Sequence, residues 1–349
     1  MYSVLILNMP NSAAFILNSR KISSIFSCLL ILVNLTNPVL AESIAEMLPI
    51  EKTRLSDNPN FEIRLDALMT LSNIMIKQHK VSELSGLFWD QDENILYALS
   101  DNGFLLHLRP VFKENKISGI DLLDGFPLLD AKNKPLRYKP SDSEGITALH
   151  ADNKKRGDTE LLISFERIPR IVRYQTNGTM IGEIKIPGIL ANIKNYQSEN
   201  KSLESVVVHP KYGVLTGPEL ALRDLDTSSM YIYSMDGKIW NFPLHDNNNG
   251  ALADLTMMSD GHVLALERAY GGIIPAINIT LHQISLDDNA GKSTEIYTFK
   301  ANHDGLNDNF EGITHYKGNH YFMVSDDNDH PLSRTVLLYF SINRKTQKY

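Results

Sequence analysis

Carboxylates recur along this chain at intervals that suit a shared cation. In each copy an acidic or small residue, followed by Gly or a substitute, opens an apolar run, and an acidic residue closes the next run. The copies run from Ser85-Gly86-Leu87 to Asp101, Glu144-Gly145-Ile146 to Glu166, Glu204-Ser205-Val206 to Glu219, Asp254-Leu255-Thr256 to Glu267, and Glu311-Gly312-Ile313 to Asp326. Carboxylates gathered in one place raise one another's pKa and call for a compensating cation. Oxygen-only donors supplied by irregular loops suit calcium, which tolerates variable geometry. Glu144, Glu204, Glu311, Asp326 and Asp327 are the candidate metal ligands, with Glu166, Glu219 and Glu267 as catalytic base or further ligand. Arg167 and Arg268 each follow a closing acid, where they offset charge or grip an anionic substrate group. Acids at strand ends also cap turns and pair with arginines, so a structural role is the alternative for any single member of the set.

Between an opening and a closing residue lie two short apolar segments separated by turn-formers, the pattern of a β-hairpin. In an antiparallel hairpin the start of the first strand and the end of the second share an edge, so both acids of a copy point to one rim. The openings at 86, 145, 205, 255 and 312 are separated by 59, 60, 50 and 57 residues, a blade-like period. Radial repetition then brings the rims together around one axis, so the fold class is all-β, a β-propeller. Phe104 to Leu136 contains apolar runs without the acidic pattern and is either the outer strands of one blade or a degenerate further blade; six blades are expected. Phe61 to Leu65 and Val336 to Ile342 are the expected closing strands. A helix is expected over Gly188 to Tyr196, after Pro187.

The N-terminal stretch differs from the rest. Arg20-Lys21 precede an apolar run from Ile25 to Leu35 and then Asn37-Pro38-Val39-Leu40-Ala41, the layout of an export signal with cleavage after Ala41. Met9 also precedes this segment and is an alternative start. Residues 42–60 read as a linker and 61–349 as the propeller domain. The single cysteine, Cys28, falls within the signal, so the expected mature chain has no disulfide, thiol nucleophile or cysteine zinc site. Cleavage removes two cations and no acid, moving the formal charge from -7 to -9, which disfavours a nucleic-acid partner.

Other catalytic patterns fail on inspection. Gly291-Lys292-Ser293 resembles the end of a phosphate loop, but Leu286 stands where its first glycine belongs. No Gly-x-Ser-x-Gly elbow is present. Asp326-Asp327-Asn328-Asp329 lacks the glycine and terminal glutamate of an EF-hand. His303, eight positions before Glu311, is the histidine nearest the repeat chemistry.

The motifs Ser85-Gly86-Leu87, Asp142-Ser143-Glu144-Gly145-Ile146, Ser164-Phe165-Glu166-Arg167, Leu203-Glu204-Ser205, Leu264-Ala265-Leu266-Glu267-Arg268, Asn309-Phe310-Glu311-Gly312-Ile313 and Val324-Ser325-Asp326-Asp327-Asn328, in this order, resemble the phytase-like domain family, described as having esterase-like activity of phytase. The resemblance covers roughly Leu84 to Ile342. It implies an exported bacterial propeller, periplasmic or secreted, that hydrolyses phosphoric or other small-molecule esters. Calcium dependence follows by analogy with propeller phytases. Such phytases hold their highly phosphorylated substrate with several lysines and arginines; here only Arg167, Arg170, Arg173 and Arg268 are candidates, which argues against phytate. The expected function is a calcium-dependent esterase, most readily a phosphoesterase. A non-catalytic propeller with structural calcium is the alternative.

Overall fold

The computed structural model describes residues 43–71, 75–76, 79–80, 82–271, 276–287, 291–300, 304, 306–328 and 333–345. The expected export signal, with Met9 and Cys28, and the residues His303 and Asp329 lie outside them.

Every acid-bearing hairpin is the inner half of a four-stranded antiparallel blade. Blade 1 comprises Leu84–Asp90, Ile95–Ser100, Phe104–Lys113 and Lys116–Pro127; blade 2 comprises Ser143–Leu149, Glu160–Phe165, Arg170–Gln175 and Met180–Ile184. Blade 3 is Leu203–His209, Gly213–Pro218, Ser229–Ser234 and Ile239–Pro243, and blade 4 is Gly250–Met257, Val263–Gly271, Ala276–Leu286 and Gly291–Phe299. Blade 5 joins the two ends of the domain: Asn309–His315, His320–Asp326 and Val336–Arg344 are completed by Phe61–Leu71, paired from Arg344 opposite Phe61 to Val336 opposite Thr70 with one register shift between Tyr339 and Phe340. The closing strands are those expected from sequence.

The described residues form five blades, where six were expected. Phe104–Lys113 and Lys116–Pro127 are the outer strands of blade 1, and they lack the acidic pattern because outer strands lie away from the axis. Innermost strands abut in chain order around the ring, and that of blade 5 abuts that of blade 1. The segment expected as a linker is partly sheet: Ala45–Leu48 and Arg54–Leu55 both pair with Phe61–Leu71. Buried Ile44 and Leu55 anchor this added layer, which covers what would be an open edge of blade 5. The expected helix is one α turn, Gly188–Ala191, and a 3-10 turn, Ile193–Asn195, broken by extended Asn192.

Both faces of a blade pack on neighbours, so inner strands such as Glu160–Phe165 are buried almost throughout instead of alternating. The apolar core is accordingly divided into five clusters, one in each gap between blades. Near the axis the strands approach so closely that side chains do not fit. A Cβ on Gly145 would lie 2.8 Å from the Glu204 carbonyl oxygen, and one on Gly312 would lie 2.9 Å from the Gly86 Cα. This crowding is the physical basis of the glycines in the repeat.

Polar clasps stitch the five junctions. Ser85 Oγ donates to Ser143 O (2.8 Å), Ser164 Oγ to Glu204 O (3.2 Å) and Leu252 N to Glu219 O (3.0 Å). Ile313 N donates to Asp254 Oδ2 (2.8 Å), and Trp89 N to Thr314 Oγ1 (3.1 Å).

Candidate metal centre

All five blades send side chains to the axial mouth, and a shared irregularity in their first strands sets which ones. The first strand of every blade breaks register near its start: between Leu84 and Gly86, Ser143 and Ile146, Leu203 and Ser205, Leu252 and Asp254, and Phe310 and Gly312. The bulged positions include Ser85, Glu144, Glu204, Ala253 and Glu311, and a bulge re-aims the side chain it carries. The residue just before each bulge pairs with Ser100, Phe165, Pro218, Glu267 and Ser325 of the second strands. The next residues, Asp101, Glu166, Glu219, Arg268 and Asp326, turn into the mouth.

Asp101, Glu144, Glu166, Glu204, Glu219, Arg268, Glu311 and Asp326 line one cavity of about 230 Å³, joined by Asp142, Arg167 and Lys201. Seven of the ten expected catalytic and metal residues are therefore drawn together around Glu166 and Arg268, and Arg167 makes eight. Two are not. Glu267 faces the opposite side of its strand, where its carboxylate accepts from His245 N (2.8 Å) and Asp246 N (3.0 Å) and meets His282 Nε2 at 2.7 Å. Asp327 likewise turns away from Asp326 and accepts from Glu83 N (3.0 Å) and Thr335 Oγ1 (3.2 Å). Alternation along a strand explains both: neighbours in sequence point to opposite faces. Neither side chain reaches the mouth. Arg170 is also absent from it, donating instead to Ile168 O and Pro140 O, and Arg173 pairs with Glu160.

Two groups of three carboxylates bring ligand atoms within 4.8 Å of one another: Asp142, Glu144 and Glu166, and Glu166, Glu204 and Glu219. Glu166 belongs to both. Burial first, and then the neighbouring carboxylates, push Glu144 and Glu204 well above the usual carboxylate range. Glu166 is pushed up to about 8 by burial and by Asp142 and Glu219. Asp101 is likewise raised to about 8, by burial and by Glu83, Asp326 and Asp142. Asp326 is raised too, chiefly by burial.

The opposite side of the mouth is neutralised from within. Arg268, 5% exposed, donates through Nη2 to Glu219 Oε1 (2.9 Å) and through Nη1 to Glu311 Oε1 and Asn309 Oδ1 (3.1 Å). Lys201 Nζ adds a second cation on Glu219 Oε1 at 2.7 Å. Tyr270 OH donates to Asn309 Oδ1 (3.1 Å), and Arg167 Nε pairs with Asp142 Oδ2 (2.5 Å) on the outer rim. The protein's own cations therefore serve Glu219, Glu311 and Asp142, whereas no ion pair reaches Glu144, Glu166 or Glu204 among the described residues.

This donor set fits a hard divalent cation. It is all oxygen and converges from two blades, and Asp101 Oδ1, on the same wall, is buried without a hydrogen-bond partner. Asp142 and Lys201 are the members that the repeat does not mark. Asp142 stands two residues before Glu144 in the same strand approach, a period-2 signal that was available. Lys201 carries no local signal, since its place depends on the course of the blade 2–3 loop.

Among curated proteins none matches the chain. Among solved structures, a gluconolactonase from Xanthomonas campestris is similar at 12% identity and a TM-score of 0.39, over 84% of this chain and 99% of that one. A luciferin-regenerating enzyme is similar at 12% and 0.38, over 74% and 91%. The β-propeller domain of Cps50 (Swd1) from Myceliophteria thermophila is similar at 9% and 0.34, over 86% and 96%. Likeness at this level bears on neither substrate nor chemistry. The phytase-like family, described by its esterase-like activity of phytase, matches residues 79–329, which take in all five acid-bearing hairpins and the whole axial mouth; the chain belongs to that family.

Proposed function

We propose that this protein is an exported, calcium-dependent ester hydrolase whose favoured substrates are small phosphoric esters. The observation that carries the reading is the pair of carboxylate groups sharing Glu166, which lie within 4.8 Å and have no resident ion pair on Glu144, Glu166 or Glu204. Family membership supports ester hydrolysis, and the layout of residues 1–41 supports export to the periplasm or beyond.

In this reading Asp142, Glu144, Glu166, Glu204 and Glu219 hold calcium. When bound, a cation of this kind polarises an ester oxygen and lowers the pKa of an attacking water. Asp326 lies in the mouth but outside both groups and is the base that takes the proton of that water at its carboxylate. Arg268 holds Glu219 and Glu311 in place and presents its cationic face to charge developing on the ester oxygens. Exposed Arg167 on the rim orients the anionic group as it enters. Glu267 and Asp327 have no part in this chemistry and act as local braces.

Turnover of an aryl phosphate and an aryl acetate, with calcium and with chelator, tests the reading. Calcium-dependent hydrolysis, lost with chelator and restored on adding calcium, is expected. Glu166→Gln is expected to lower turnover ~100-fold or more with the fold intact. Hydrolysis at the parent rate in chelator contradicts the assignment. No turnover, with a melting temperature that falls when calcium is removed, favours a binding module with structural calcium.

A further inference from the structure

Beside the axial mouth lies a second cavity, of about 870 Å³, between the loops of blades 1 and 2. It adjoins the mouth: Asp101, Asp142 and Arg167 line both. Its volume suits a small organic ligand. Phe104 and Leu136 supply apolar lining, and the lip is the run Arg137-Tyr138-Lys139.

Tyr138 is the unusual feature of this lip. The residue is 88% exposed, and its backbone stands at φ 61 and ψ -144, a region that bulky residues avoid. The surrounding loop enforces this conformation. The Tyr138 carbonyl accepts from both Ser141 N (2.9 Å) and Ser141 Oγ (2.7 Å), and Ser141 packs against Gly103. On the other side Asp130 Oδ1 accepts from Lys132 N and Lys134 N, each at 2.8 Å. An aromatic ring is thus held out over a cavity on strained backbone, and among the described residues it makes no hydrogen bond or ring contact. Strain that the neighbours over-determine is characteristic of binding positions. On either side of the ring stand Lys139, paired with Glu199, and Arg137, which has no ion pair among the described residues.

We propose that this cavity is a subsite for the alcohol portion of the ester, selecting substrates that carry a planar ring. Tyr138 is the stacking surface, and Arg137 and Lys139 favour negative charge on that ring. The proposal rests on the axial mouth being the site that binds the ester.

Binding of two non-hydrolysable phosphonates to the calcium-loaded protein, measured by calorimetry, tests it. Phenylphosphonate is expected to bind about fivefold or more tighter than methylphosphonate, as stacking on an aromatic side chain would give. Tyr138→Ala removes this preference, leaves methylphosphonate affinity unchanged, and Tyr138→Phe retains the preference. Tyr138→Gly, which relieves the positive φ, raises the melting temperature while abolishing the preference. The Arg137→Ala/Lys139→Ala double variant weakens 4-carboxyphenylphosphonate and spares phenylphosphonate. Equal affinity for the phenyl and methyl ligands, or a preference that survives Tyr138→Ala, overturns the subsite and leaves the reading of the mouth intact. Failure of both phosphonates to bind overturns the subsite together with that reading. A Tyr138-dependent preference in a protein that turns over no ester supports the subsite and removes the hydrolase assignment.

Discussion

Two similar tetrapeptides, Ser164-Phe165-Glu166-Arg167 and Ala265-Leu266-Glu267-Arg268, lie in the second strands of blades 2 and 4 near the mouth, yet they contribute different residues to it. In blade 2 the residue paired just before the bulge is Phe165, opposite Ser143, so Glu166 turns inward; in blade 4 it is Glu267, opposite Leu252, so Arg268 does. A slip of one residue exchanges the faces of a strand, and pairing partners are not written in the strand itself. The sequence therefore displays the acids of blades 1, 2, 3 and 5 correctly, while it conceals that blade 4 contributes Arg268 and no acid. The consequence is a lopsided ring, with a built-in cation on one side and crowded carboxylates on the other. Arg268→Ala is expected to release Glu219 and Glu311 from their shared partner and to destabilise the protein by roughly 3–5 kcal/mol, as removal of one member of a buried charge network does; chemical denaturation measures this.

The crowded carboxylates also set a pH dependence. Glu166 and Asp101 stand near 8 in the folded protein without an ion, against an ordinary value near 4 when unfolded. Between those values the folded state holds more protons than the unfolded state, so stability falls as pH rises from about 4 to about 8. A metal-free sample is expected to lose melting temperature across this window, and calcium to flatten the loss while releasing protons on binding near pH 7. Scanning melting temperature against pH, with calcium and with chelator, checks the sign; a metal-free protein that gains stability over the window would contradict it.

At the scale of the element, the bulge in each inner strand and the glycine beside it work together. The bulge turns Glu144, Glu204 or Glu311 to the axis, and Gly145 or Gly312 then lets the next blade approach. The sequence shows the acid-glycine pair but not that it marks a bulge. In blade 4 the counterpart of that glycine is Asp254, 1% exposed, whose carboxylate accepts from Leu255 N and Ile313 N, each at 2.8 Å. It was readable as an opening acid because its type matched; its position in the register makes it a clasp between blades 4 and 5. Gly145→Ala places a methyl 2.8 Å from the backbone of blade 3 and is expected to cost about 1–3 kcal/mol. Urea unfolding measures it, with an unchanged midpoint as the contrary result.

Across the whole molecule, closure depends on one blade built from both ends of the domain. Strand content, the repeat period and the closing pair Phe61–Leu71 and Val336–Arg344 follow from β-branched and aromatic runs in the sequence. Blade number did not follow, because outer strands such as Phe104–Lys113 carry no axial residue and resemble an unmarked repeat. Leu338, wholly buried at the seam between Leu68 and Met323, is expected to cost about 2–5 kcal/mol as Leu338→Ala and to lower the cooperativity of unfolding, since the ring is closed there. Calorimetric and van't Hoff enthalpies compared for parent and variant give this readout.

The central claim is that carboxylates from separate blades share a divalent ion at the axial mouth. Anomalous diffraction from crystals soaked in calcium tests it most directly. A peak within about 2.3–2.6 Å of oxygens of Glu166 and at least two of Asp142, Glu144, Glu204 and Glu219 is predicted. A mouth without a peak, in which these carboxylates are held by Lys201, Arg268 and water alone, would contradict it.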